Sequence, residues 1–105
     1  MAVATIRLAP AALMGEFYFK REFAQSIALR NLALYETVGT MAVPGLEGEA
    51  VAEEVFDLTN NPGRQDEREA LYGRGRSVSV GDIVQVDGVL FLCASMGWTE
   101  LTEMA

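Results

Sequence analysis

Apolar and polar positions change period several times along the chain, and each change marks an element. Val3–Leu8 is rich in β-branched and apolar residues and reads as a strand. Pro10 behind it suits a turn or the first turn of a helix, because its locked φ is already helical. Between residues 16 and 23 two periods compete. Phe17, Phe19, Arg21 and Phe23 alternate with Glu16, Tyr18, Lys20 and Glu22 as in a half-buried strand, whereas Phe23, Ala24, Ile27 and Ala28 share one helical face. The second pattern predicts a helix over about Arg21 to Arg30. Leu32, Leu34 and the run to Val38 predict a strand that ends in the punctuation from Gly39 to Pro44-Gly45.

From Glu49 to Leu58 the spacing is helical again: Val51, Val55 and Leu58, flanked by Ala52 and Phe56, define one face, so Val55, Phe56 and Leu58 are expected in the core. Asn60-Asn61-Pro62-Gly63 ends that helix, and good helix formers predict a shorter one over Arg64 to Tyr72, closed by Gly73. Ile83–Val86 and Val89–Leu92 are β-rich runs joined by Asp87-Gly88, the two-residue sequence that favours a type I′ hairpin. Ahead of them, Ser77 and Ser79 would point to one side and Val78 and Val80 to the other, with Asp82 capping a turn. The elements add up to an α+β fold: one small domain over residues 1–105, with a short antiparallel sheet and a C-terminal β-hairpin packed against two or three helices.

Composition narrows the chemistry. The 105 residues include one cysteine and no histidine, which leaves no internal disulfide, no His-based metal site and no Ser-His or Cys-His nucleophile. Cys93 is expected to behave as a small buried hydrophobe. Ser77, Ser79 and Ser95 lack a base at Ser-x-x-Lys spacing, and no acid pair is placed as in glycoside hydrolysis. The expectation is a non-enzymatic protein without cofactor or metal. No apolar run reaches the length of a membrane span, and the opening residues make a poor signal peptide, so a cytoplasmic setting and no membrane partner are expected.

The net charge of −7 is unevenly spread, since residues 31–63 hold six acidic side chains and no basic one. Within the helix after Gly48, Glu49, Glu53 and Asp57 recur at four-residue spacing on one face, with Glu54 at its edge. That stripe is either a solvated face or a contact for a protein with a basic surface. Nucleic acid is the unfavoured partner of so acidic a chain. Arg74 and Arg76, between glycines, form either an exposed turn or an anion-binding loop, and Trp98 is either a core anchor or an exposed contact. The candidate partner-binding set is therefore Glu49, Glu53, Glu54, Asp57, Arg74, Arg76 and Trp98.

Arg76-Ser77-Val78-Ser79-Val80-Gly81-Asp82-Ile83-Val84, followed by Asp87-Gly88, an apolar strand, Gly97-Trp98 and Leu101, resembles the C-terminal signature of YodL-like domains. Ala52-Glu53-Glu54-Val55-Phe56-Asp57 is similar to the helix that usually precedes it, so the resemblance covers about residues 48–101. These domains occur on plasmids, phages and other mobile elements. The resemblance implies the fold and that genomic setting, and no activity. The first functional expectation is a small accessory protein of such an element that binds another protein through the acidic helix and the Arg74–Trp98 surface, as a monomer or weak homodimer. Two other functions fit the same residues. One is an acidic inhibitor that presents carboxylates where a host enzyme expects phosphates. The other is a nucleic-acid-binding module using Arg64, Arg68, Arg74 and Arg76, with Lys20 and Arg21 beside the aromatics of residues 17–23.

Overall fold

The structure is a computed structural model that describes residues 2–72, 76–95 and 97–101. Five strands form one antiparallel sheet: β1 (Ala2–Leu8), β2 (Glu36–Val43), β3 (Ile83–Val86), β4 (Val89–Ala94) and β5 (Gly97–Leu101), in the order β2-β1-β3-β4-β5. Four α-helices lie against it: α1 (Ala11–Phe19), α2 (Ala24–Arg30), α3 (Glu49–Asn60) and α4 (Gln65–Tyr72). The class is the expected α+β, with a sheet broader than a hairpin and four α-helices where two or three were anticipated.

Strand alternation divides the core in two. Ala2, Ala4, Ile6 and Leu8 of β1 lie with Val84, Val86, Phe91 and Cys93 on one face, under Val51, Ala52 and Val55 of α3. Ile83, Leu90, Leu92 and Leu101 lie on the opposite face, against Phe17 of α1 and Ile27 and Ala28 of α2. Val55 and Leu58 are buried as the periodicity requires, and Phe56 is partly buried beside the first cluster. The hairpin forms as its sequence dictates: Asp87 and Gly88 both take positive φ, 47° and 89°, and Val86 pairs with Val89 and Ile83 with Leu92.

Three segments depart from the sequence reading. The helix expected over about Arg21 to Arg30 starts later, and of the two periods that compete over residues 16–23 the helical one holds at the start. Helix α1 runs through Phe19 and buries only Phe17, and a 3-10 turn over Arg21–Phe23 shortens the following helix to Ala24–Arg30. The strand expected from Leu32 to Val38 begins instead at Glu36, after a 3-10 turn over Leu32–Leu34, and continues through Gly39 to Val43. Gly39 is a strand residue because α4 passes close above it: a Cβ there would stand 3.1 Å from Leu71 Cγ. Val78 and Val80 do not share a face. Val78 enters the cluster under α3, while Val80, at a turn, packs against the other one. The expected stop at Gly73 lies outside the described residues.

Gly81 shows how tightly the two layers meet. Its φ is +98°, and a Cβ would fall 2.4 Å from the Phe17 ring. Gly81→Ala should therefore cost about 3 kcal/mol or more, adding ring displacement to backbone strain. Gly88→Ala, equally left-handed but with open space around it, should cost nearer 1 kcal/mol. Urea denaturation of the two variants checks that ranking.

Candidate functional site

The acidic stripe of α3 exists, but the fold answers much of it. Arg64, carried just past the helix by the 3-10 turn over Pro62–Arg64, reaches back to Glu54 (2.7 Å) and Asp57 (2.9 Å) and forward to Glu67 (2.8 Å). Hydrogen bonds donated to these carboxylates push the Arg64 guanidinium well above its usual range, and the same contact holds Glu67 below the usual carboxylate range. Glu53 accepts a 2.6 Å hydrogen bond from Trp98 Nε1. Glu49 stays exposed in the first turn of α3, where an acid suits the helix dipole.

Trp98 is half-buried at the sheet's margin, edge-on to Phe56 with ring centroids 6.2 Å apart. It is a packing residue whose polar tip meets the acidic helix. The structure thus brings Glu53 and Trp98 together, and gathers Glu54 and Asp57 around Arg64. Arg76 belongs elsewhere, and Arg74 lies outside the described residues.

Arg76 is bound to Asp82, which is fully buried. One Asp82 oxygen accepts from the Ala9 amide and from Arg76 Nη2, each at 2.7 Å; the other accepts from the Ser79 amide at 2.8 Å and from Arg76 Nη1. Arg76 Nη2 also donates to the Ala9 carbonyl at 2.8 Å, so both backbone groups of Ala9 are satisfied by this pair. Bonding to Asp82 raises the Arg76 pKa. Beside it the Tyr35 hydroxyl donates to the Gly81 carbonyl at 2.6 Å, and burial, reinforced by the Asp82 charge, pushes its pKa up. The segment from Ser77 to Val78 is tied to α3: the Val78 amide donates to Thr59 Oγ1, and Asn60 donates to the Val78 carbonyl. The most motif-like stretch of the chain is thereby a folding device, and its arginine is committed to an internal carboxylate.

Two features remain. Tyr18, Phe19 and Phe23, 71%, 80% and 54% exposed, crowd the end of α1 and the turn after it, with Tyr18 and Phe19 edge-to-face at 5.0 Å. The competing periods of residues 16–23 were the sequence trace of this patch, since neither a helix nor a strand could bury all of its aromatics. A groove of about 700 Å³ runs between the Gly45–Gly48 loop and the β3–β4 turn over Phe91, but the Asp87 carboxylate on its wall already accepts the Val3 amide. Among the described residues no group of three or more His, Cys, Asp or Glu is placed to hold a metal ion, and no helix is long and apolar enough to cross a membrane.

Comparison with family models, with curated proteins and with solved structures finds no match to the chain.

Cys93 is buried, and burial pushes its thiol up to about 12. At pH 8 only about one thiol in ten thousand would be ionised. A thiol-exchange reagent should therefore leave the folded protein untouched over minutes and label it fully in denaturant. Asp82→Ala, which leaves two backbone amides without an acceptor and the partly exposed Arg76 guanidinium without its carboxylate, should cost about 2–4 kcal/mol. Thermal melts compared with Glu53→Ala, expected within about 1 kcal/mol of the parent, check that scale.

Proposed function

We propose that this protein works by binding another protein, without catalysis, and that its acidic helical layer meets a basic surface on the partner. The observation that carries this reading is the separation of charge across the sheet. Residues 44–72, which hold α3 and α4, contain eight acidic and two basic side chains. Residues 10–35, which hold α1 and α2 on the opposite face, contain two acidic and three basic. Such a field raises association rates and selects partners by sign over a Debye length of about 8 Å. An accessory role in a mobile element, drawn from the resemblance to YodL-like domains, fits a small binding protein. An inhibitor that takes a nucleic-acid site would use this same layer.

The arginines favour these readings over a nucleic-acid module. Arg64 faces three carboxylates and Arg76 faces Asp82, so neither guanidinium is free to grip phosphate. Arg68 is turned toward Ser77.

Within the acidic layer Glu49 and Glu53 make no ion pair among the described residues, whereas reversing Asp57 would dismantle the Arg64 cluster. The double variant Glu49→Lys, Glu53→Lys should therefore fold, and should lose partners that the parent retains in affinity capture read by mass spectrometry. Against a captured partner its association rate should fall about tenfold at low salt, and by less as salt rises. Identical capture and identical kinetics would transfer the interface to the aromatic patch. Tight, salt-sensitive binding of DNA or RNA by the parent would replace the proposal with a nucleic-acid function.

A further inference from the structure

We propose that the outer edge of β2, which no described strand pairs with, is a self-association site, at which two copies pair antiparallel about a two-fold axis centred on Met41. The direction of the backbone groups comes first. Both the amide and the carbonyl of Val3 are bonded to Asp87, on the β3 side of β1. By the alternation of an antiparallel ladder, Ala2 and Ala4 face β2, where their partners Val43 and Met41 return the bonds. Thr40 and Ala42, lying between and beyond Met41, then direct their N–H and C=O groups away from the sheet.

The usable edge is short and bounded. Gly39 pairs with Ile6 and Thr37 with Arg7, so Val38 is an extra residue that bulges the edge on one side, and Pro44 ends it on the other. Between them Gly39–Val43 is regular and carries no charge. Edges usually carry lysine, proline or an inward charge against such pairing, and this window has none of them. The opposite edge, β5, bears Glu100.

Charge and symmetry name the occupant. A chain of net charge −7 meets its like most readily where neither copy presents a carboxylate. The outward groups of Thr40 and Ala42 are symmetric about Met41, so Thr40 of each copy pairs with Ala42 of the other and four N–H···O=C bonds form. Thr40 and Ala42 are exposed and small, and the two Met41 side chains meet on the face that holds α4. That geometry also sets a brake. It draws together the two copies of α4, whose Asp66, Glu67 and Glu69 outnumber Arg68, so association should be weak at low salt and tighten several-fold by 0.5 M NaCl.

Sedimentation equilibrium of the full chain and a Met41→Cys cross-link test this. The directly opposed, non-hydrogen-bonded position has Cα atoms about 4.5 Å apart, within disulfide reach, and buried Cys93 does not compete. Expected are a salt-strengthened dimer and rapid Met41→Cys cross-linking under mild oxidation, with no cross-linking of Val3→Cys, one strand inward. Thr40→Pro, which removes an outward N–H and leaves the β1 ladder whole, should abolish the dimer without altering the circular dichroism spectrum. A parent that stays monomeric at millimolar concentration in 0.5 M NaCl, a dimer that survives Thr40→Pro, or equal cross-linking of Val3→Cys would each overturn the proposal.

Discussion

The buried Asp82 carboxylate is the interaction on which the arrangement of the chain depends. An unpaired charge in that position would cost several kcal/mol, and its partners come from two parts of the sequence: the Ala9 amide near the start of the chain, and the Ser79 amide and Arg76 guanidinium just ahead of Asp82. The pair therefore joins the end of β1 to the segment entering β3, and β3 is the strand that β1 must accept as its second neighbour. Gly81, one residue earlier, lets the Phe17 ring press on the backbone and seats α1 on the same junction. A stretch whose serines, glycine and arginine invite a functional reading is thus explained by the needs of folding.

That conclusion redistributes the functional weight. Arg64 and Arg76 are committed within the protein, whereas Glu49 and Glu53 of the acidic helical layer form no ion pair with any described residue, and the far side of the sheet exposes three aromatic rings. Such patches lose water favourably on contact, so the molecule presents two surfaces of opposite character on opposite sides of one sheet. Trp98 belongs to the acidic side, where its indole holds Glu53 in place.

What was legible in the sequence was local. Asp87-Gly88 dictates its hairpin because only left-handed backbone fits between those strands, and α3 is legible because Val51, Val55 and Leu58 recur at helical spacing. What was not legible required a distant partner. Gly39 looks like a turn residue until α4 is placed over it, and Glu54 and Asp57 look unanswered until Arg64 folds back. Asp82 was readable as a turn cap, but nothing near it announces Ala9, 73 residues away.

The place of β1 in the sheet has a consequence for how the protein comes into being. It precedes the other four strands in the chain, yet one of its neighbours, β3, begins only at Ile83, and the same later segment supplies part of the floor on which α3 rests. A nascent chain that stops short of β3 has α3 and α4 resting on β1 and β2 alone, with part of the floor under α3 missing and β1 paired on one side only. At ordinary translation speeds that condition lasts on the order of a second or more, until the hairpin of β3 and β4 has been made. Because β1 and β3 lie far apart in the chain, the pairing at the middle of the sheet cannot form until the segment that carries β3 has been made, and the completed sheet waits on that segment.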